Sequence, residues 1–156
     1  MRLRVIAVGT RMSGWVETAF TDYRRRLRAA DALELTEVPV TRRNGTGDAA
    51  RAMAAEGQRI LGLLGERDYA VALDEHGRSF TSLQLGAWLA ERRQQGAPLC
   101  FIIGGPDGLA PAVLARAQLR WSLSALTFPH GLVRVLLAEQ IYRASTLLAG
   151  HPYHRE

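Results

Sequence analysis

The sequence predicts one α/β domain whose mainly parallel sheet is covered by helices on both faces. Segments typical of strands and of helices alternate along all 156 residues. Most of the strand segments are continuous apolar runs, as expected where both faces of a sheet are buried. No repeat, low-complexity tract or linker divides the chain, so residues 1–156 are expected to form a single domain.

The first strand and the first helix follow from the apolar pattern. Residues 3–8 form a mostly apolar strand that ends at Gly9, and Ser13 stands where a helix N-cap is expected. The apolar side chains of this helix are spaced by three and four residues and should face the core: Val16, Ala19, Phe20, Tyr23 and Leu27.

An edge strand, a loop and a second helix come next. Residues 33–40 alternate in polarity and include Pro39, which cannot donate a hydrogen bond to a neighbouring strand, so this strand should lie near the sheet edge. Residues 41–48 are polar and glycine-rich, which predicts a mobile loop. The second helix is expected to bury one face: Ala50, Met53, Ala54, Gly57, Ile60, Leu61 and Leu64.

The second half of the chain repeats the alternation of strands and helices. Buried strands are predicted at residues 69–73, 99–103 and 119–123. Thr81 and Gln84 form a capping-box pair at the start of the third helix. A short helix is expected over residues 111–117, and a long apolar helix over residues 132–148 ends before Gly150 and Pro152.

The chain is basic, with a net charge of +5 and arginine at all twenty basic positions. Clusters occur at residues 24–26 with Arg28, at residues 42–43 and at residues 92–93. They either contact nucleic-acid phosphates or are solvated helix faces, and no interleaved aromatic residues suggest stacking on single strands.

Neither a targeting segment nor a membrane span is visible, which predicts a cytoplasmic protein. The single cysteine, Cys100, excludes an internal disulfide and is expected to be an inert core residue.

Three segments that follow predicted strands are the candidates for a binding site: residues 73–77, 104–108 and 122–130. The carboxyl ends of parallel strands meet at one edge of the sheet, where ligands bind, so these segments should line one pocket. Residues 104–108, Gly-Gly-Pro-Asp-Gly, either let a ligand approach the backbone closely or merely make a tight turn. Neither the G-x-G-x-x-G motif nor a phosphate-binding loop is present.

The other two segments allow two interpretations each. Backbone groups of residues 122–130 could pair with the edge of a purine held between Leu and Phe side chains, or this segment is only a long connection punctuated by Pro129. Asp74 is placed to bind a ribose hydroxyl or an amino group, whereas His76 is expected to be a surface histidine.

The last helix and the tail carry further polar residues. Glu139 and Arg143 lie four apart, the spacing of an ordinary helical ion pair. His151 and His154 flank Pro152 without an adjacent acidic residue, which argues against a metal site. A tail that contacts substrate is expected instead, because His, Tyr and Arg side chains all pair with RNA groups.

Four motifs together resemble the RlmH family, bacterial pseudouridine N3-methyltransferases of large-subunit rRNA within the SPOUT superfamily. They are L-D-x-x-G at residues 73–77, FIIGGPDG at residues 101–108, LSALTFPH followed by LVRVLL within residues 123–137, and HPYHR at residues 151–155. The resemblance covers the whole chain. It implies a SPOUT-type α/β knot, that is, a deep C-terminal trefoil knot, together with a homodimer and S-adenosylmethionine (S-adenosyl-L-methionine) as cofactor. The implied substrate is 23S rRNA within the assembled 70S ribosome, with no metal and no membrane involved.

The resemblance also implies which residues contact the cofactor: Leu73, Gly104, Gly105, Leu123, Ser124, Ala125, Leu126, Thr127 and Phe128. On this basis Gly104→Val is expected to fill the cofactor volume and leave the fold native.

N3 of pseudouridine must lose a proton before it attacks a methyl group, which calls for a general base. The candidates are His130, His154 and Glu139, with no order among them. Arg134 and Arg155 are candidates to stabilise the developing anion, and Tyr153 to stack on or orient the base. We expect each site to combine the knot of one subunit with the tail or arginine surface of the other.

Three alternatives stay open at this stage. One is a knotted methyltransferase that acts on tRNA ribose, and another is a non-enzymatic basic factor that binds the ribosome. The third, a nucleotide-dependent oxidoreductase, is disfavoured by the missing G-x-G-x-x-G motif.

Overall fold

The computed structural model describes residues 1–27 and 31–155, so Arg28 of the first arginine cluster lies outside the described residues. Five strands in this part of the chain form one parallel sheet in the order β2-β1-β4-β3-β5. The strands are β1 (Leu3–Val8), β2 (Leu33–Val38), β3 (Tyr69–Ser79), β4 (Leu99–Ile103) and β5 (Leu119–Ser122). The helices are α1 (Gly14–Arg26), α2 (Asp48–Leu63), α3 (Ser82–Gln95), α4 (Pro111–Arg116) and α5 (His130–Ala149), followed by a 3-10 turn at Pro152–Arg155.

Helices cover both faces of the sheet, which confirms the predicted fold class. On one face, Phe20 of α1, Trp88 of α3 and Leu137 of α5 belong to a single core cluster. On the other face, Ile60 of α2 and Val113 of α4 pack in a second cluster. β1 and β4 are central and apolar because both of their faces are covered.

The edge position predicted for the second strand is confirmed, because β2 lies at one edge of the sheet. It ends before Pro39. The capping box of α3 also forms: the Gln84 backbone N–H donates to Thr81 Oγ1 at 3.1 Å, and the Thr81 N–H donates to Gln84 Oε1 at 2.9 Å. Ser13 occupies the N-cap position of α1, but its side chain makes no capping hydrogen bond.

Two local predictions need correction. α2 buries Ala52, Glu56, Gly57 and Ile60 and leaves Ala54 exposed, so its inner face is rotated from the predicted one. The apolar pattern favoured the wrong face, because the buried face carries a glutamate that is paired with an arginine. β3 continues to Ser79 rather than stopping at residue 73, because pairing with β5 resumes after a short excursion.

α5 packs against α1 and α3 and also contacts β4, although it follows β5 at the far edge of the sheet. Residues 123–129 therefore run across the carboxyl ends of the neighbouring strands before α5 begins. Within residues 1–27 and 31–155, no helix combines the length and the apolar character that a membrane span requires.

Candidate active site

The three segments predicted to meet do meet, at the carboxyl edge of the sheet. They line one cavity of about 580 Å³, whose walls are residues 73–76, residues 104–109 and residues 123–130 without Ala125. Side chains from the sheet and from helices complete the walls: Ile103, Leu114, Trp121 and Val133. The volume lies within the range of roughly 300–1,000 Å³ typical of small-molecule sites. Of the nine positions predicted to contact a cofactor, Ala125 alone does not line the cavity.

The first wall is an excursion from β3. Leu73 and Arg78 both pair with Trp121 of β5, so the four residues between them loop out. Asp74 Oδ1 accepts a hydrogen bond from the His76 backbone N–H at 3.0 Å, which shapes this excursion. The His76 side chain is 85% exposed, which confirms the predicted surface histidine.

The second wall is a tight turn at residues 104–108. The Gly108 N–H donates to the Gly105 carbonyl at 3.1 Å, and Gly108 has a φ of +84°. A Cβ on Gly104 would lie 2.7 Å from the Gly108 carbonyl carbon, so glycine at position 104 allows the turn to close on itself. The expectation that a valine here would only fill the ligand volume is therefore wrong, because the side chain would disrupt the turn.

The third wall is the segment between β5 and α5. Ser122 Oγ donates to the Ser124 carbonyl at 2.8 Å, and Ser124 Oγ accepts from the Leu126 N–H at 3.0 Å, so two serines fold this segment locally. Thr127 Oγ1 donates to Glu75 Oε2 at 2.9 Å and joins the third wall to the first. The Leu126 residue is 70% exposed, which leaves an apolar side chain free to cover a ligand.

Two predicted catalytic residues lie at the start of α5, and they differ in position. His130 lines the cavity. Arg134 does not: it is only 2% exposed, and it donates to Glu37 Oε2 at 2.6 Å and to the Gly9 carbonyl at 2.8 Å. Arg134 thus ties α5 to the carboxyl ends of β1 and β2.

Of the other predicted catalytic residues, Glu139 lies in the middle of α5, and the tail folds back onto the helix there. Glu139 Oε1 accepts hydrogen bonds from Arg143 Nη2 at 2.6 Å and from Tyr153 Oη at 3.1 Å, which confirms the predicted helical ion pair. Burial, a hydrogen bond to Tyr23 and the Glu139 carboxylate together raise the pKa of the Tyr153 phenol above its usual value. The phenol therefore stays protonated and keeps its hydrogen bond to Glu139.

The tail itself packs on this cluster. The rings of Tyr142 and Tyr153 lie 4.6 Å apart between centroids. His154 Nδ1 is buried and finds no hydrogen-bond partner among the described residues, while Arg155 is exposed. A buried polar atom without a hydrogen-bond partner is uncommon in folded proteins, which singles out His154 within the tail.

One protomer does not bring the predicted catalytic residues together. His130 is the first residue of α5 and Glu139 is the tenth, which separates them by roughly 14 Å along the helix axis at 1.5 Å per residue. Tyr153 contacts Glu139, so the tail folds back onto the middle of the helix. The wall of the cavity includes none of Glu139, Tyr153, His154 and Arg155.

Most of the clustered arginines are engaged within the protein. Arg26 pairs with Asp22, Arg43 with Glu56, Arg92 with Glu91 and Arg93 with Asp31. Arg24, Arg25 and Arg42 are exposed. The His, Cys, Asp and Glu side chains of residues 1–27 and 31–155 form no group of three that could hold a metal ion.

Sequence reasoning missed Glu56 and its connection through Arg43 to Asp107 beside the second wall. A signal for Glu56 did exist. It lies four residues after Ala52 and four before Ile60, so helical spacing places it on the inner face of α2.

Known proteins match this chain over almost its whole length. The family model described as "Predicted SPOUT methyltransferase" matches residues 1–154. A protein of Thioalkalivibrio sulfidiphilus named ribosomal RNA large subunit methyltransferase H is 51% identical over 156 residues and 100% of both chains. A Pseudomonas fluorescens protein of the same name is 48% identical over 99% of this chain and 100% of its own length.

Solved structures show the same fold at low sequence identity. A probable methyltransferase from Bordetella pertussis Tohama I has a TM-score of 0.56 and 15% identity, with 92% of this chain and 93% of that chain covered. TrmJ from Z. mobilis ZM4 has a TM-score of 0.55 and 16% identity, with 94% and 71% covered.

Proposed function

Because this chain belongs to the SPOUT methyltransferase family, we propose that it transfers a methyl group from S-adenosylmethionine to N3 of a pseudouridine in 23S rRNA. The observation that carries this proposal is the cavity formed by the three motif segments, within a chain that matches its relatives from end to end. Those relatives are named as methyltransferases of large-subunit ribosomal RNA, which supports the choice of RNA. The pseudouridine, its N3 atom and the assembled 70S particle rest on the resemblance of the motifs.

The cavity fits S-adenosylmethionine in size and in the character of its walls. Leu126 and Phe128 offer apolar surface for an adenine ring, and the backbone of the serine-folded segment offers donors and acceptors to its edge. Asp74 lies on the opposite wall, where its second carboxylate oxygen can accept from a ribose hydroxyl. When bound there, S-adenosylmethionine supplies an electrophilic methyl group.

The residues of the chain then have to align the base and remove the N3 proton. Of the three candidate bases, Glu139 already accepts hydrogen bonds from Arg143 and Tyr153, so it is better suited to orient them. His154 has an unpaired buried Nδ1, and His130 lines the cavity, so a histidine is the better choice of base. Arg155 is exposed and can reach the uracil oxygens, whereas Arg134 would act by holding α5 in place.

We propose further that the active unit is a homodimer with each site shared between the two chains. The absence of the tail residues from the wall of the cavity that His130 lines supports this arrangement. So does the surface of α5, where Leu132, Val135, Leu136 and Leu148 keep part of their surface exposed in the single chain. A second copy would cover these side chains and bring its tail to the cavity.

The trefoil knot and the cytoplasmic setting belong to the same proposal. The path of residues 123–129 across the carboxyl ends of neighbouring strands supports a threaded C-terminus. Ribosomes are the proposed site of action, so the reaction takes place in the cytoplasm.

One experiment tests the reaction and its substrate together. The protein is incubated with S-adenosylmethionine labelled in the methyl group and, separately, with 70S ribosomes, free 50S subunits and tRNA. We expect label in 23S rRNA of the 70S particles, at a pseudouridine N3. Label in tRNA would favour a tRNA methyltransferase, and binding to ribosomes without any transfer would favour a non-enzymatic factor.

A further inference from the structure

The guanidinium of Arg43 connects three separate segments beside the second wall of the cavity. Its Nη1 donates to Glu56 Oε2 and to the Thr41 carbonyl, both at 2.7 Å. Its Nε donates to Asp107 Oδ2 at 2.9 Å. One side chain therefore links the loop after β2, the inner face of α2 and the turn after β4.

The anchor of this connection is fixed in the protein interior. Glu56 is 2% exposed, and its Oε2 also accepts the Thr41 backbone N–H at 2.9 Å. A buried carboxylate is stable only when it is paired and hydrogen-bonded, and Arg43 meets that need. Glu56 Oε1 lies 3.5 Å from the position that a Cβ of Gly105 would take, so the anchor sits directly beside the turn.

Asp107 is the point at which this anchor reaches the turn. It lies between Gly105 and Gly108, whose hydrogen bond closes the turn, and the same residues line the cavity. β2 and β4 are not neighbours in the sheet, because β1 lies between them. Arg43 thus restrains the turn at residues 104–108 from a loop on the other side of β1. Glycines make this turn flexible, so the restraint from outside adds rigidity.

We infer that Arg43 is a positioning residue, which holds the turn at residues 104–108 in its ligand-binding shape through Asp107 and so sets the affinity for S-adenosylmethionine. Arg43 itself does not line the cavity. The inference rests on the proposed function for the identity of the ligand. Its physical basis is that binding to a preformed wall avoids the entropy cost of ordering that wall.

A double-mutant cycle with Arg43→Lys and Asp107→Asn tests the connection. Lysine keeps the positive charge beside Glu56. Its single ammonium group cannot bond to both Glu56 and Asp107, as the planar guanidinium of arginine does. We expect each single variant to raise the Kd and the KM for S-adenosylmethionine about tenfold and to keep kcat within about twofold. If both residues act through the same contact, the double variant should also raise the Kd about tenfold rather than a hundredfold. A hundredfold higher Kd in the double variant would overturn the inference. It would mean that Asp107, which lines the cavity, contacts the ligand independently of Arg43.

Hydrogen exchange in the ligand-free protein gives a readout that does not depend on the cofactor. The Gly108 amide should exchange at least about fivefold faster in Arg43→Lys and in Asp107→Asn, because the bond that protects it opens more often. The matched control is Asp22→Asn, which removes an ion pair with Arg26 on α1 and touches neither the loop after β2 nor the turn.

The outcomes separate this inference from the proposed function. If the unaltered protein does not bind S-adenosylmethionine in calorimetry, the proposed function fails, and Gly108 exchange alone then decides whether Arg43 holds the turn. A natively folded Arg43→Lys variant with unchanged Gly108 exchange and unchanged Kd overturns the inference.

Discussion

Gly77 and Gly104 stand where a Cβ would collide with backbone. A Cβ on Gly77 would lie 2.6 Å from the carbonyl of Arg120, and one on Gly104 would lie 2.7 Å from the carbonyl carbon of Gly108. Both glycines shape cavity walls by letting backbone segments approach each other. Substitutions at these positions would therefore test folding as much as binding, and exposed residues of the cavity are better probes.

Leu126 is such a probe, since its side chain lines the cavity and the residue is 70% exposed. Leu126→Ala should weaken S-adenosylmethionine binding about tenfold, because losing the apolar cover of a ligand costs on the order of 1.5 kcal/mol. Isothermal calorimetry measures this. The matched control is Leu83→Ala on α3, which is 74% exposed and does not line the cavity, and which should leave the Kd unchanged. Equal effects of the two variants would remove Leu126 from the binding site.

Cys100 allows a prediction about pH. Burial raises the pKa of this thiol to about 11. In the unfolded chain the thiol ionises from about pH 8.5, so the neutral thiol favours the folded state fully below that pH and loses this contribution progressively up to the folded pKa. Relative to Cys100→Ala, the free energy of unfolding should fall by on the order of 2–3 kcal/mol between pH 8 and pH 11. Denaturant titrations under reducing conditions measure it, and identical pH profiles would contradict it.

Among the elements, α5 shows how one helix serves several purposes. Leu137 and Ile141 bury completely, Arg134 ties the first turns to β1 and β2, and Glu139 holds the tail. Six further apolar side chains of the helix stay partly exposed: Leu132, Val133, Val135, Leu136, Leu147 and Leu148. A helix of this kind is expected where a second surface completes the burial.

The helix ends give a test of local structure. Thr81 and Gln84 form both bonds of the capping box, whereas Ser13 makes no side-chain cap. Thr81→Ala should lower the free energy of unfolding by about 1 kcal/mol, because it leaves a first-turn N–H without its acceptor. Ser13→Ala is the control and should change it by less than about 0.5 kcal/mol. Urea titrations compare the two, and a larger loss for Ser13→Ala would contradict this account.

At the scale of the whole molecule, the cavity is lined by the first turn of α5, whereas the tail folds back onto Glu139 in the middle of this helix. A chain with Leu126→Glu should lose cofactor binding, and one with His154→Ala and Arg155→Ala should lose catalysis. If each site is shared, an equal mixture of the two chains should regain about a quarter of the unaltered activity, since half of the dimers contain one complete site of two.

The mixture is prepared by unfolding and refolding the two chains together, and methyl transfer to 70S particles is measured. Separately refolded chains that are mixed afterwards serve as the control for chain exchange. Activity no higher than that of the single variants would show that each site is self-contained.

Much of the fold could be predicted from local pattern. The alternation of strands and helices, the edge position of β2, the Thr81 capping box and the final helix all follow from spacing of three, four or two residues and from Pro and Gly punctuation. The meeting of the three loops followed from one general rule, that parallel strands end at the same edge. The inner face of α2 was missed, because Glu56 is buried only through its pairing with Arg43, which lies 13 residues away in sequence.

The sequence by itself determined which residues are available for chemistry and which edge of the sheet they would share, because side-chain period and strand direction are local properties. Only the tertiary structure decided how they are used. It buried Arg134 against Glu37 although they lie 97 residues apart, brought Asp107 to Arg43 across β1, and folded the tail back onto Glu139 while His130 lines the cavity. These relations depend on which elements pack together in space. Pairing between residues that are distant in sequence produces no periodic pattern that a single sequence could reveal.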